Sequence, residues 1–502
     1  VTRTTILFVV TLAGGAALAQ TDGFDRWKAQ QTSSYGAYAH DTTSGFSDYL
    51  KQDWARFQLE QSPQGYRRPK PVRPVVAPGT KPPDPGPPPH PPSSSASSSA
   101  SSAASSSLVS SLSSSSSAAP PPSSRPTAPP PARPTFTFHG TPVFARLDRS
   151  LSLPLDGEPG PATLAAWWRR AEGSTWRPFL EDLQAAARRF QLNDWLTLQL
   201  FSSAALAAQG RAGAAATLLT WFLLAQAGYR VRAGYDGPHV VLLVPSRDTL
   251  YRTRYFRQGD SDLRHYVVQP FDPDGPVPAS VRTYEKDAPG ATRLLDMSMP
   301  VAPLLREDAV RRTLSFKHHG ATRSVEVAHD RSLVEVLRRY PTVQFPVYFT
   351  AAPSAAARSS LVDGLRPLLR GLTPREALDL LLHVVQTGFT YQTDDEQFGR
   401  EKWLFPDETL AYPASDCEDR SILFSFLVRE LLDLPVVALE YPNHLATGVA
   451  VPGMTTGDAV LHQGRRYVVA DPTYIHADLG MAMPDLRGVT PRVITFPATP
   501  PR

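Results

Sequence analysis

Residues 62–134 constrain this 502-residue chain more than any other stretch. The segment includes PVRPVVAPGTKPPDPGPPPHPP, runs into a long Ser/Ala tract and closes on a second proline cluster. Proline fixes φ and removes a backbone donor, so the first part favours stiff polyproline II, while the Ser/Ala part is flexible. Neither can bury enough apolar surface to offset the entropy of ordering it. The segment is therefore expected to be a disordered linker. It splits the chain into a short N-terminal part and a globular part that runs from 135 to about 490, followed by a tail over 491–502.

The short part has two features. VTRTTILFVVTLAGGAALAQ carries a basic flank, an apolar stretch and a small-x-small site, so residues 1–19 are expected to be a signal peptide cleaved after Ala19. The mature protein is then periplasmic or secreted. Residues 20–61 hold a repeat: Phe24, Tyr35, Phe46 and Phe57 fall eleven apart, and Trp27, Tyr38 and Tyr49 follow three later. Eleven residues is close to three helical turns, which predicts an amphipathic aromatic helix extended by Trp54. Such a helix either docks on an envelope or protein partner or folds back on the chain's own domain. No later apolar run is long enough to span a membrane, so no transmembrane span is expected in the mature chain. The formal net charge is +4 with no basic run, so no nucleic-acid partner is expected.

In the globular part, helical patterns run through 162–226. Strand-like stretches follow at 229–235, 239–245 and 265–270. A small β connecting unit is expected over 311–350, turning at His318-His319-Gly320. Those two histidines read as turn residues, since no third ligand follows at metal-binding spacing. Thr373-Pro374-Arg375-Glu376 is a capping box with proline at the first helical position.

Cys417 is the one cysteine of the chain. In an exported compartment it has no internal disulfide partner. Apolar residues at 422, 423, 426, 427 and 431 predict a buried helix stripe, which puts Cys417 at its first turn with Asp416 as N-cap. The helix dipole favours a thiolate there, while Asp416, Glu418 and Asp419 oppose it, so a basic partner is needed. PVVALEY, then HLATGVAVP opening on His444, then RRYVVADP ending on Asp471, read as three strands. If the last two pair as a hairpin, Val451 lies near Arg465 and His444 comes to about Asp471 or Pro472. Cys417 could then pass its proton to His444, with Asp471 orienting the imidazole.

This order, with D-C-x-D-R at a helix start, a strand opening on His and a strand ending in D-P, resembles the transglutaminase-like branch of the papain-like cysteine-enzyme superfamily. TPREALDLLLHVVQTGFTY and PDETLAYPASDCEDR are similar to that family's approach to its cysteine. The resemblance implies an α+β fold, a Cys-bearing helix packed on an antiparallel sheet that carries His and Asp, in a catalytic domain over 351–490. It implies Cys417 as nucleophile, His444 as general base and acid, and Asp471 as orienting carboxylate. The Cys417 N–H would serve an oxyanion hole, with Gln397 and Tyr412 as candidates for the second donor. No cofactor is required. DCED also resembles periplasmic transglutaminase-like proteinases whose flanking acids bind calcium, which places a candidate calcium at Asp416, Glu418 and Asp419.

Residues 218–270 echo the catalytic segment. LLTWFLLAQAGYRVRAGYDGPHVVLLVP parallels ILFSFLVRELLDLPVVALEYPNHLATGVAVP, and HYVVQP parallels RYVVADP. His239 matches His444, Gly210 to Ala215 match the cysteine region, and Gln269 or Pro270 matches Asp471. Residues 135–310 are thus expected to be a degenerate copy of the same domain. Three functions stay open: an exported cysteine peptidase or amidase acting on a protein or peptide, protein-glutamine crosslinking by the same triad, and a non-catalytic envelope scaffold.

Overall fold

A computed structural model describes residues 45–63, 76–77, 133–259, 262–442 and 444–496. The protein is α+β with antiparallel sheets. The expected signal peptide, most of the linker and the first half of the aromatic repeat lie outside the described residues.

The N-terminal half is built on a seven-stranded sheet. Its order is Ala55–Gln58, Ser280–Thr283, Arg232–Asp236, His239–Ser246, Arg264–Val268, Arg254–Arg257, Glu60–Gln61. Helices Pro161–Glu172, Trp176–Arg189, Asp194–Gln209 and Ala214–Gln226 pack on it. The last two are apolar almost all round, which suits helices buried in the interior. Asn193 caps Asp194–Gln209 by accepting from the Leu196 N–H at 3.0 Å, and Gly210 ends it at φ +71, where a Cβ would be strained.

The aromatic repeat does not continue as a helix. Helical residues are present at 45–49, but Ala55–Gln58 and Glu60–Gln61 are strands at the two edges of the sheet. Phe46 meets Trp168 and Tyr284 edge-on, Trp54 packs on Tyr235 and Tyr284, and all of these aromatics except Tyr235 are buried. These aromatics therefore serve the chain's own core. Burial against that core outweighs the helical period, which Gly45 and the strand-forming Phe57 only weakly enforce. The linker is also not wholly undocked. Val76 forms a parallel bridge with Ile475, and Ala77 donates to the Ile475 carbonyl at 2.9 Å while buried against Tyr474, Ala477 and Met483.

The expected β unit over 311–350 is a long hairpin, Ala309–His318 with Ala321–Asp330, followed by helices Arg331–Leu337 and Phe345–Thr350. Asp330 stops the hairpin because its carboxylate accepts from the N–H groups of Ser332 and Leu333, capping a helix. Pro374–Thr387 begins with the capping box read from the sequence, with Thr373 and Glu376 bonded reciprocally. It packs beside Cys417–Leu432, and both lie against a five-stranded sheet. The order of that sheet is Ala459–His462, Arg465–Ala470, His444–Val449, Val436–Tyr441, Arg492–Ile494.

One buried cluster runs through both halves. It joins Trp167, Trp168 and Trp221 to Trp403, Phe405, Cys417, Ile422 and Leu445. Among the described residues, no helix is long and apolar enough to cross a membrane.

Candidate active site

Cys417 is the first residue of the helix Cys417–Leu432, and Asp416 is its N-cap. The Asp419 carboxylate reaches back to accept from the Asp416 N–H at 3.2 Å, which closes the first turn. Ser421 donates to the Leu445 carbonyl at 3.2 Å, pinning the helix to the strand that His444 opens. Arg420 is wholly buried, and its guanidinium donates to the carbonyls of Gln386 and Phe389 and to Ser415. Burial brings its pKa down to about 10.

The strands around the site differ in two respects from the expected hairpin. His444–Val449 and Arg465–Ala470 are neighbours, with Thr447 opposite Ala470 and Val449 opposite Val468, but they are not joined directly. The connection runs out to the edge strand Ala459–His462, which turns into Arg465–Ala470 through Gln463 and Gly464, both at positive φ. That is the signature of a tight hairpin turn, and only its glycine was visible as such in the sequence. The register is shifted by one from the expected pairing, so the ladder sets Val451 level with Arg466. Asp471 leaves the end of its strand and still meets His444.

The three side chains come together. His444 Nε2 lies 2.8 Å from Asp471 Oδ2. Cys417 is near enough for its charge to act on the imidazole, while the hydrogen bond that its Sγ makes runs to Glu418 Oε2. Since Asp471 takes Nε2, Nδ1 is the nitrogen left for Sγ. The other oxygen of Asp471 accepts from the Thr473 N–H at 2.9 Å, the Thr473 hydroxyl at 3.1 Å and the Tyr474 N–H at 3.1 Å. All three triad residues are buried: Cys417 is 3%, His444 9% and Asp471 1% exposed.

The electrostatics follow from this geometry. Burial alone would pull the His444 pKa down. The charges of Asp471 and Cys417 and the hydrogen bond to Asp471 outweigh it and push the value up to about 10. Burial would likewise raise Asp471, but the His444 charge and the bonds from His444 and Thr473 hold it below the usual carboxylate range. The imidazolium thus keeps its proton, and its positive charge, through the neutral range.

Glu418, expected as a calcium ligand, instead places Oε2 3.3 Å from Cys417 Sγ. The acids that do converge are Asp416 and Asp419 with Asp394, a residue the sequence reading missed. One oxygen from each lies within 4.8 Å of the others, and all three are buried. Burial, then the charge of Asp416, raises Asp394 and Asp419 well above the ordinary carboxylate value. Three close, buried carboxylates are hard oxygen donors of the kind a calcium ion takes, so the residues fit that ion. Asp394 was not legible from spacing, because it arrives from the separate short helix Asp394–Phe398.

Neither candidate for the second oxyanion donor is among the triad's hydrogen-bond partners. Gln397 sits on that same short helix, and Tyr412 packs edge-on against Phe398. A second missed residue is Gln386. Its amide donates to the Asp471 and Ala477 carbonyls, both at 3.0 Å, and its oxygen accepts from the His476 N–H at 2.9 Å. It holds the loop that presents Asp471. His239 is exposed on the other sheet, remote from this chemistry.

No family model matches the chain, and no curated protein and no solved structure matches it.

Proposed function

We propose that the protein is an exported cysteine hydrolase that cleaves an amide bond of a protein or peptide through a thioester acyl-enzyme, of the transglutaminase-like kind that the sequence resembles. The observation that carries the reading is the His444 Nε2–Asp471 Oδ2 contact of 2.8 Å, with Cys417 at the head of the adjoining helix and near enough for its charge to act on the same ring. In the reaction, Cys417 Sγ attacks the carbonyl carbon and the C–S bond forms. The C–N bond breaks as His444 gives its proton to the leaving amine. His444 then takes a proton from water, whose oxygen attacks the thioester, and the C–S bond breaks to return the cysteine. Asp471 keeps the imidazole in one tautomer and offsets its positive charge. The Cys417 N–H, at a helix N-terminus, is the donor best placed for the oxyanion.

Calcium belongs to the proposal as a bound cation at Asp394, Asp416 and Asp419. Its charge would offset three carboxylates next to the nucleophile. The acceptor of the acyl group decides between hydrolysis and crosslinking. A peptide thioester or glutamine-peptide probe, incubated with the protein and a labelled primary amine, tests both. Acylation of Cys417 followed by release of free acid supports hydrolysis. Incorporation of the amine supports transfer. Absence of any Cys417 adduct would leave the protein a scaffold.

A further inference from the structure

The loop that presents Asp471 holds its shape through contacts from outside itself. Thr473 and Tyr474 supply three donors to the Asp471 oxygen that His444 does not use. Next along the loop, His476 sits at φ +63, in the left-handed region that a non-glycine residue keeps only where its surroundings impose it. The peptide unit between Ile475 and His476 is gripped at both polar ends. Its N–H donates to Gln386 Oε1 at 2.9 Å, from the helix Pro374–Thr387. Its carbonyl accepts from the Ala77 N–H, also at 2.9 Å, from the linker. The N–H and C=O of a trans peptide point in opposite directions, so helix and linker clamp the unit from opposite sides.

The linker contact includes packing as well as this bond. Ala77 is 3% exposed and lies among Tyr474, Ala477 and Met483, all buried. Tyr474 is 2% exposed, and its own N–H is one of the donors to Asp471. Pro78 follows Ala77 and disfavours helical backbone there, so the residue enters the contact already extended and loses little entropy on docking. Upstream, Pro63 accepts from the Arg252 N–H at 2.8 Å, so the same segment of chain ties the N-terminal half to the Asp471 loop.

We propose, on the reading of Cys417, His444 and Asp471 as a triad, that Val76 and Ala77 are positioning residues for it. Docked on Ile475, they keep Thr473 and Tyr474 against Asp471, and the reactivity of Cys417 depends on that docking. Undocking would free the Ile475 carbonyl, open Tyr474 to water and release the constrained backbone at His476. A carboxylate that loses its supporting donors no longer holds an imidazole in one geometry, so His444 would lose its orientation and its counter-charge. The linker thereby acts as a lever: drawing it away lowers reactivity without touching a triad residue.

The test compares Cys417 alkylation by iodoacetamide at neutral pH in the full chain, in saturating calcium, for the unaltered protein, Ala77→Asp, His444→Ala and the double variant. A charged carboxylate does not fit among Tyr474, Ala477 and Met483. Ala77→Asp is expected to slow alkylation at least fivefold, and to change the rate less than twofold where His444 is already replaced. Ala77→Ser, which keeps the N–H and nearly the size, should restore the original rate. Circular dichroism checks that Ala77→Asp is folded; if it is not, Ala77→Pro, which removes the N–H given to Ile475, must show the fivefold loss. A folded Ala77→Asp that loses stability in urea yet alkylates at the original rate makes the contact a brace of the fold alone and overturns the proposal. Equal slowing with and without His444 overturns it too. Where His444→Ala by itself leaves the rate unchanged, the triad reading fails and the proposal falls with it, and that arm alone identifies this outcome.

Discussion

The two sheets share a topology and differ in chemistry. In the N-terminal half, helix Ala214–Gln226 leads into Arg232–Asp236 and His239–Ser246, and Arg264–Val268 pairs next with an outer strand beside it. In the C-terminal half, helix Cys417–Leu432 leads into Val436–Tyr441 and His444–Val449, and Arg465–Ala470 pairs next, again with an outer strand. A late strand flanks the first strand in both, Ser280–Thr283 and Arg492–Ile494. The registers correspond: His239 opposes Asp236 as His444 opposes Tyr441, and Leu242 opposes Val268 as Thr447 opposes Ala470. Gln269 therefore stands where Asp471 stands, and Ala214 where Cys417 does. His239 is exposed whereas His444 is buried. A shared backbone plan supplies three positions at one end of a sheet, while reactivity needs a thiol, a carboxylate and burial at those positions.

The sharpest way to break this comparison is to move the thiol. Cys417→Ala should abolish labelling by an acyl probe, and adding Ala214→Cys to it should not restore labelling, because Gln269 cannot orient and neutralise an imidazolium. Recovery of labelling above the background of an exposed cysteine would show that the first half is not inert. Next in size is the base. His444→Ala should slow acylation by about 10²–10⁴-fold, whereas His239→Ala should leave the rate within error, both measured under single turnover. Asp471→Asn should retain the imidazole contact yet lose its charge. It should slow acylation strongly and destabilise the fold by ~3–5 kcal/mol in urea unfolding, the scale for breaking a buried charged pair.

Two smaller effects sharpen the electrostatic side. His444 holds its proton to about 10 when folded, against ~6.5 unfolded. Its contribution to stability is complete below pH ~6.5 and is lost as pH rises through about 10. The urea midpoint should fall across that window, and His444→Gln should lack the fall. Asp394 and Asp419 also bind protons more tightly when folded, so their protonation favours folding at acid pH and that benefit fades as pH rises. Calcium should replace those protons. It should raise Tm at pH 8, at ~2–4 °C per kcal/mol, with no effect at pH 5, and Asp394→Asn should remove the response.

Much of the C-terminal half was legible in the sequence because its signals are local. The capping box at Thr373, the buried stripe after Cys417 and the strands opening on His444 and ending at Asp471 depend on neighbours a few residues apart. What was missed depends on tertiary placement. Asp394, Gln386, the edge strand Ala459–His462 and the hydrogen bond between His318 and His383 arise from segments far apart in the chain. Over its described residues, 45–61, the aromatic repeat departs from a helix for the opposite reason. Its period was real, but Phe46 and Trp54 found burial against Trp168, Tyr235 and Tyr284, and Phe57 against Phe256, in a sheet rather than along one helix. The linker composition gave no sign that Val76 and Ala77 would dock beside Ile475, since two residues carry no periodicity.

The most direct measurement is the rate of Cys417 alkylation by a small iodoacetamide as a function of pH, in the protein and in His444→Ala. The chain has no other thiol. An activated pair predicts fast alkylation that persists well below the free-thiol value of ~8.5 and is lost in the variant. Alkylation that follows an ordinary thiol curve, unchanged by His444→Ala and by added calcium, would contradict the account and leave Cys417 a structural residue.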